Sequence, residues 1–262
     1  MDEIKISIRE QIAAFLFRHQ MRGAVRFYRF ALKQARIGIR TKHGVVLRLN
    51  PYEYVDNKII RNGYYEEEVL LALLRVLRPA DVFWDIGANV GLHALTVAKL
   101  LPNVFVQAFE PNPQLADLIR KAARLNSLAV QVVEVALDCD TGTAPLFLHE
   151  GNLGQSSLHN WDSNPLIKHI DVTTSRAADQ VARHGVRAPN AIKLDVEGNE
   201  ARVLRGMGNL LSDKTLRAVV FEDAMSSTSE VKQIMADAGF HIVELARLED
   251  THHGLENFLA QR

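Results

Sequence analysis

Hydrophobic and polar positions along the chain follow two periodicities, one typical of buried strands and one typical of helices. Residues 82–86 form a short apolar run, and apolar residues from Leu92 to Leu101 then recur with helical spacing. The predicted strands are 82–86, 103–109, 130–135, 190–194, 216–221, 240–246 and 257–260, and the predicted helices between them are 92–101, 114–128, 175–184, 201–211 and 229–238. Strands that alternate with helices predict an α/β fold with a mainly parallel sheet.

Two regions depart from this alternation. Residues 4–36 predict one or two amphipathic helices, and residues 37–50 alternate in the manner of a hairpin. Residues 144–173 alternate like antiparallel strands around a turn rich in Gly, Asn and Ser. We therefore predict an N-terminal helical and hairpin extension over residues 1–60 and a main domain over 61–262. The strands inside the main domain are either a lid or substrate wall beside a ligand, or a simple linker.

Charge divides the chain in a way that the net charge of zero hides. The residues before position 43 carry about +7, and the remainder carries about −7. The basic helices are either a cap on the core with a solvated face, or a surface for an anionic membrane, an acidic substrate or another copy. Cys139 is the only cysteine, and no export signal is recognisable, so we expect a cytoplasmic protein without disulfides. No apolar run approaches the ~20 residues of a membrane span, and no nucleic acid is expected as a partner.

A glycine loop follows the first strand of the main domain and opens a helix. Its candidate ligand-binding residues are Gly87, Ala88, Asn89 and Gly91, which place backbone N–H groups at the carboxyl end of the strand. Two such glycines also occur in ordinary α/β turns. Asp85 precedes the loop, however, and would repel a pyrophosphate but attract a cation. S-adenosylmethionine (SAM) fits this description, since it carries an ammonium and a sulfonium but no phosphate.

Acids also follow the next strands of the predicted sheet. Glu110 comes 19 residues after Gly91, at the end of the second strand, where an acid accepts hydrogen bonds from ribose hydroxyls. Pro111 fixes the turn behind it. Ala136, Leu137 and Asp138 follow the third strand, where adenine would lie. Because the carboxyl ends of parallel strands converge, we expect these groups and the acids after the fourth and fifth strands to share one crevice.

Several of these segments together resemble the FkbM-type family of SAM-dependent methyltransferases. The matching segments are 63–66 (GYYE), 85–91 (DIGANVG), 109–113 (FEPNP), 192–200 (IKLDVEGNE) and 203–206 (VLRG). The resemblance covers roughly residues 40–262 and implies a Rossmann-like class I methyltransferase, with seven mostly parallel strands and an antiparallel last strand. It implies methyl transfer from SAM, usually to oxygen, in sugars or small metabolites. Many relatives carry an aromatic residue and then Ser or Thr after the loop, where this chain has His93 and Ala94.

The resemblance also suggests roles on the acceptor side. Asp195, after the fourth strand, is the candidate for orienting or deprotonating the acceptor hydroxyl, with Glu222 as a second catalytic residue. The candidate substrate contacts are Glu66, Ser156 and Glu197. An alternative is a Mg²⁺ site formed by Asp195, Glu222 and Asp223, similar to that of catechol-type O-methyltransferases. We expect metal-independent transfer and a small-molecule or glycan hydroxyl as acceptor.

Two other functions remain open from the sequence. A nucleotide-dependent oxidoreductase could use a similar sheet, but it needs a pyrophosphate in the loop, which Asp85 and the missing middle glycine oppose. A non-catalytic SAM-binding scaffold could attach to a membrane through residues 1–36. Neither the acceptor nor the oligomeric state follows from the sequence.

Overall fold

A seven-stranded sheet forms the centre of the protein. The computed structural model describes residues 6–19, 21, 36–149, 151, 153–159, 168–226, 229–246 and 255–262. The strands are β1 (Ile37–Arg40), β2 (Val46–Leu49), β3 (Val82–Ile86), β4 (Phe105–Phe109), β5 (Val130–Val133), β6 (Ala136–Leu137), β7 (Gly142–Phe147), β8 (His169–Ser175), β9 (Ala191–Leu194), β10 (Ala218–Ala224), β11 (His241–Glu244) and β12 (Leu255–Gln261). The helices are α1 (Ile8–Arg18), α2 (Tyr54–Asn62), α3 (Glu67–Val76), α4 (Leu92–Leu100), α5 (Pro113–Leu125), α6 (Ala177–Arg183), α7 (Glu200–Gly206), α8 (Asn209–Ser212) and α9 (Glu230–Asp237), and a 3-10 turn spans Leu153–Gln155.

The strand order of the central sheet is β11-β12-β10-β9-β3-β4-β5. The pairs from β10 to β5 are parallel, whereas β12, the last strand, is antiparallel to both β10 and β11. This order confirms the predicted α/β fold with a mostly parallel sheet and an antiparallel last strand. The carboxyl ends of β3, β4, β9 and β10 therefore meet at one edge of the sheet.

Two apolar clusters, one on each face of the sheet, hold the helices against the strands. Phe83 belongs to one cluster, while Trp84 and Ile86 belong mainly to the other face, because successive side chains of a strand alternate. Helices α3, α4 and α5 contribute to the Phe83 cluster, and α6, α7 and α9 contribute to the Trp84 cluster. A strand buried on both faces reads as a nearly continuous apolar run, which is why β3 is visible in the sequence.

The N-terminal hairpin packs into the same core as the main sheet. β1 and β2 pair antiparallel within the predicted segment, and Ile39 and Leu47 share the cluster of Phe83. Asn126, at the end of α5, accepts a hydrogen bond from Val46 N and donates one to Val46 O, both at 2.8 Å. The division into an extension and a main domain stays a prediction, although the two parts share this core.

Helix α1 is the described part of the predicted N-terminal helical segment. Ser7 and Glu10 form a capping box at its start. Glu10 also reaches the hairpin, because Gly38 N donates to its Oε1 at 3.0 Å. Residues 22–35 lie outside the described residues, so membrane contact through residues 1–36 stays a prediction. Of the helices that the structure describes, none has both the length and the apolar character needed to cross a bilayer.

The segment 144–173 contributes to a small second sheet. β7 and β8 are antiparallel, as predicted, and β6 joins β8 in parallel. The 3-10 turn between β7 and β8 lies against α2, since Leu153 N donates to Glu53 Oε2 at 2.9 Å and Tyr54 N donates to Gly151 O at 3.0 Å. The turn is therefore attached to the helix that follows the hairpin.

Three predicted boundaries are wrong. The third strand ends at Val133, because the chain then turns away to place β6 in the second sheet. The helix predicted over residues 201–211 is divided into α7 and α8, and Gly208 between them has a φ of 52°. Glu222 and Asp223 do not follow the fifth strand but lie within β10, where they pair with β12.

Candidate active site

A cavity opens at the edge where the parallel strands end. Its walls come from the glycine loop (residues 87–91), the ends of β4, β9 and β10, the start of α3 and the 3-10 turn. The predicted site residues that line it are Glu66, Gly87, Ala88, Asn89, Glu110, Pro111, Ala136, Leu137, Ser156, Asp195, Glu197 and Glu222. The predicted site residues that do not line it are Asp85, Gly91, Asp138 and Asp223.

The glycine loop is closed by its own hydrogen bonds. Gly87 N and Ala88 N both donate to Phe109 O at 3.0 Å, which ties the loop to the end of β4. Gly87 has a φ of +77°, and a Cβ there would lie 1.8 Å from Asp195 O. Only glycine combines this conformation with this approach, so the loop is fixed against both neighbouring strands. The two bonded amides are not directed at a ligand phosphate.

Glu110 is oriented by backbone groups on both of its oxygens. Asn89 N donates to Oε2 and Asn112 N donates to Oε1, each at 2.8 Å. Burial raises the pKa of Glu110 to about 7. Each oxygen keeps a further lone pair, so the side chain can accept two more hydrogen bonds from the cavity, as a ribose diol requires.

Asp85 lies behind the cavity rather than in its wall, which differs from the predicted direct contact with the donor. Its Oδ2 accepts a hydrogen bond from Ala94 N at 2.8 Å, at the start of α4. Among the described residues Oδ1 has no hydrogen-bond partner, and Lys193 Nζ lies 3.8 Å from it. Burial raises the pKa of Asp85. Lys193, which lines the cavity, therefore connects Asp85 to it as an ion-pair partner.

Lys193 lines the cavity but was not among the candidate site residues that the sequence indicated. Its Nζ donates to Asp195 Oδ2 at 2.9 Å and to Gly87 O at 3.5 Å. Burial opposes its charge, but the carboxylates of Asp195, Asp85 and Glu66 outweigh burial and raise the pKa of Lys193. The available signal was a lysine inside an apolar strand, two positions before Asp195 and thus on the same face.

Four carboxylates line the wall opposite Glu110, and we call this group the carboxylate side. Its members are Glu66, Asp195, Glu197 and Glu222. Burial, followed by the charge of Asp195, raises the pKa of Glu66 to about 8 and that of Glu197 to about 9. Both glutamates have a left-handed backbone, with φ of 53° and 54°. Such conformations are uncommon for residues other than glycine and occur more often at functional sites.

Two predicted acids are engaged elsewhere. Asp138 binds Arg202, whose Nε and Nη2 lie 2.7 and 3.1 Å from its two oxygens, so it does not reach the cavity beside Ala136 and Leu137. Asp223 accepts a hydrogen bond from Ser229 Oγ and faces Lys232 at 4.0 Å. Of the three alternative magnesium ligands, Asp195 and Glu222 line the cavity and Asp223 does not. In the described ranges, no group of three or more His, Cys, Asp or Glu side chains could hold a metal ion.

Two buried polar atoms in the rest of the cavity wall form no hydrogen bond within the described residues. Ser156 Oγ, after the 3-10 turn, and Asn199 Oδ1, before α7, are buried without a hydrogen-bond partner in the part of the chain that the structure describes. His93 is also buried, and burial lowers its pKa to about 3. His93 is therefore neutral, and its Nε2 lies 3.4 Å from Glu66 O. A pKa this low makes His93 a weak base near neutral pH, and its imidazole offers no hydroxyl.

The strand order, the antiparallel last strand and an acid beside a glycine loop define the class I methyltransferase fold. The fold is also that of the tRNA (uracil-54, C5)-methyltransferase of Pyrococcus abyssi, solved with S-adenosyl-L-homocysteine (TM-score 0.50, 13% identity, 87% of this chain and 44% of that chain). A family model described as the methyltransferase FkbM domain matches residues 85–242. The chain belongs to this family, as its motifs predicted.

Two curated relatives show which proteins resemble it in sequence. The chain is 29% identical over 197 residues to the hexuronic acid methyltransferase AglP of Haloferax volcanii, across 73% of this chain and 77% of that protein. It is 27% identical over 196 residues to the 31-O-demethyl-FK506 methyltransferase FkbM of Streptomyces tacrolimicus, across 64% and 75%. Both relatives are methyltransferases, and the match extends over most of each.

Proposed function

We propose that this methyltransferase transfers the methyl group of SAM to a hydroxyl oxygen of a sugar or small metabolite. The observation that carries the proposal is the loop beside Glu110. Gly87 N and Ala88 N are bonded to Phe109 O, while Glu110 lines the same cavity and each of its oxygens accepts one backbone hydrogen bond, which leaves each a further lone pair. A ligand there gains diol recognition without phosphate recognition, which suits the nucleoside part of SAM and disfavours a pyrophosphate cofactor.

The donor side of the proposed site consists of Gly87, Ala88, Asn89, Glu110 and Pro111. Glu110 would bind the ribose hydroxyls, and Ala136 and Leu137 would contact the adenine face. When bound, SAM supplies a methyl group on a sulfonium, whose S–CH₃ bond breaks with its electron pair left on sulfur as the new O–CH₃ bond forms. The protein must position the acceptor oxygen in line and remove its proton.

Asp195 and Glu222 are the proposed proton acceptors. Lys193 Nζ donates a hydrogen bond to Asp195 Oδ2 at 2.9 Å, which fixes the orientation of the Asp195 side chain at the end of β9. Glu222 lies on β10, next to β9 in the sheet, and lines the same cavity. A hydroxyl hydrogen-bonded to either carboxylate can pass its proton to it as the oxygen is methylated. Loss of this proton is the step for which a hydroxyl acceptor needs help.

The acceptor class rests on the polar atoms opposite the donor side. Asn199 Oδ1, Asp195 and Glu222 offer hydrogen-bond acceptors, whereas Ser156 and the protonated forms of Glu66 and Glu197 can also donate, and together these groups match the O–H groups of a polyol. Hexuronic acid and a demethylated FK506 oxygen are the acceptors named for the two relatives. A sugar or hydroxylated metabolite agrees with both observations.

Binding and turnover test the proposal separately. SAM and S-adenosylhomocysteine should each raise the melting temperature of the protein, and NAD should not. Isotopically labelled SAM should then transfer its methyl group to a hydroxyl of a sugar or metabolite in cell extract, identified by mass spectrometry. Asp195→Asn should lower kcat at least about tenfold. Stabilisation by NAD but not by SAM would overturn the proposal, and full kcat in Asp195→Asn would remove Asp195 from the chemistry.

A further inference from the structure

Glu66 and Glu197 line the cavity, and neither carboxylate forms an ion pair with a described lysine or arginine. In the described part of the chain, no side chain or backbone group donates a hydrogen bond to either carboxylate. Both residues line the cavity, and both are held in a left-handed backbone conformation. They come from different segments, one before α3 and the other between β9 and α7. Two unpaired carboxylates facing one cavity indicate a cationic ligand.

The positive charge nearby is already shared. Lys193 is the only lysine or arginine among the described residues that line the cavity. Its Nζ lies 2.9 Å from Asp195 and 3.8 Å from Asp85. It is therefore already paired with two carboxylates other than those of Glu66 and Glu197. The charged groups that act on Glu66 and Glu197 are Lys193, Asp195, Glu222, Glu68 and Glu200. Acidic side chains therefore outnumber basic ones on this side of the cavity, and each glutamate that ionises adds a negative charge with no described lysine or arginine left to pair with it.

We propose that Glu66 and Glu197 form a charge filter that binds the positively charged methyl donor more tightly than its neutral product. The inference rests on the proposed function. SAM and S-adenosylhomocysteine share their methionine and adenosine parts and differ by one methyl group and one positive charge. Transfer of the methyl group removes that charge from the cavity. The attraction that helped to bind the donor then no longer holds the product, which favours product release.

The protonation of the two glutamates makes the filter measurable. Burial and neighbouring carboxylates raise the pKa of Glu66 to about 8 and that of Glu197 to about 9, so both carry protons for much of the time near neutral pH. A bound cation stabilises the ionised carboxylates and lowers these pKa values, so that binding of SAM releases protons. The neutral product lacks this effect. The preference for SAM should therefore grow as pH rises and the glutamates ionise.

Titration calorimetry with SAM and with S-adenosylhomocysteine tests the filter without an acceptor. Measurements between pH 6.5 and 9, in phosphate and in Tris, give each Kd and the protons released on binding. We expect the ratio of the product Kd to the donor Kd to rise about tenfold across this range, which corresponds to about one pKa unit of coupling. SAM binding should release more protons than S-adenosylhomocysteine binding, because Glu110, with a pKa of about 7, responds to the ribose of both ligands. Glu66→Gln and Glu197→Gln keep the side-chain shape and should each flatten the ratio.

Glu110→Gln is the matched control, because the ribose that Glu110 is proposed to bind is present in both ligands. It should weaken both ligands alike and leave their ratio unchanged. A ratio that stays flat with pH in the unmodified protein, with no extra proton release for SAM, would overturn the filter while leaving the proposed function intact. Failure of both ligands to bind would instead overturn the proposed function. The measurement on the unmodified protein needs no variant, so misfolding of a variant cannot obscure the outcome.

Discussion

The glycine loop and the carboxylate side lie at the same edge of the sheet and differ in how their polar groups are satisfied. In the loop, Gly87 N and Ala88 N bond to Phe109 O, and Asn89 N bonds to Glu110. On the carboxylate side, Lys193 is shared, and Glu66 has no donor among the described residues. Nearby, Ser156 Oγ and Asn199 Oδ1 are buried without a partner among the described residues, and leaving a buried polar atom unpaired costs about 1–3 kcal/mol, which a ligand in the cavity would offset.

The two regions should therefore respond differently to substitution: one mainly in stability, the other mainly in ligand binding. The loop is complete without ligand, and its backbone contacts also hold β3, β4 and β9 together. Changes there should lower both stability and donor binding. Changes to unpaired groups of the opposite wall should leave the fold largely intact and alter ligand recognition.

Gly87→Ala should have the largest effect on stability and on ligand binding. Its new Cβ would lie 1.8 Å from Asp195 O, at a φ of +77°. We expect the free energy of unfolding to fall by about 3 kcal/mol or more, together with loss of SAM binding, in urea denaturation and calorimetry. Gly151→Ala is the control, because its φ is +82° but no atom of the described residues, its chain neighbours aside, lies within 4 Å of the new Cβ. It should cost only about 1 kcal/mol, and equal losses would contradict the role of close approach.

Lys193→Met should come next, because it leaves Asp85 and Asp195 without their shared cation. We expect a loss of about 3 kcal/mol in the free energy of unfolding at pH 7. The loss should shrink at pH 5, since protonation of the raised-pKa Asp85 removes its unpaired charge. Urea denaturation at both pH values measures this. Lys121→Met, in an exposed pair with Asp117, should cost less than about 0.5 kcal/mol, and a pH-independent loss in Lys193→Met would contradict the pairing.

Glu53→Ala should loosen the 3-10 turn and leave the glycine loop unchanged. Glu53 Oε2 accepts the hydrogen bond of Leu153 N at 2.9 Å, which holds the 3-10 turn against α2. Amide hydrogen exchange followed by mass spectrometry should become about tenfold faster in residues 151–158 and stay unchanged in residues 82–92. Glu53→Gln keeps an acceptor oxygen and should restore most of the protection. Faster exchange in both segments would show that the turn and the loop are not independent.

Ser156→Ala should have the smallest effect on stability. Comparison with Ser157→Ala separates an unpaired hydroxyl from a hydrogen-bonded one at neighbouring positions. Ser156 Oγ has no partner among the described residues, so its removal should change the free energy of unfolding by less than about 0.5 kcal/mol. The neighbouring Ser157→Ala should cost about 1 kcal/mol, because Ser157 Oγ donates to Glu197 O at 2.8 Å and accepts from His159 N at 3.1 Å. Thermal denaturation compares the two. With an identified acceptor, Ser156→Ala should raise KM several-fold, and an unchanged KM would exclude Ser156 from the acceptor site.

The features that the sequence predicted are those encoded within a few consecutive residues. The strand, loop and helix around Gly87 and Gly91 carry their own periodicity and turn chemistry, and Glu110 follows from its spacing. The mostly parallel sheet and its antiparallel last strand follow from the family resemblance and from the alternation of elements. These parts could be read because each depends on neighbours close in the chain.

The features that the sequence did not reveal depend on distant residues. Lys193 gains its role from Asp85 and Gly87, more than 100 positions away. Asp138 is withdrawn from the cavity by Arg202, and no local pattern marks that ion pair. The extent of β10 through Glu222 likewise depends on pairing with β12. Contacts of this kind require the tertiary structure.

The approach of Gly87 to the carbonyl of Asp195 also fixes one part of the cavity wall. Because the two backbones are in close contact, the ends of β3 and β9 cannot move apart without breaking the edge of the sheet. The 3-10 turn is attached differently, since hydrogen bonds to α2 hold it in place. One part of the wall is therefore built from neighbouring strands, and another from segments that are 100 positions apart in the chain.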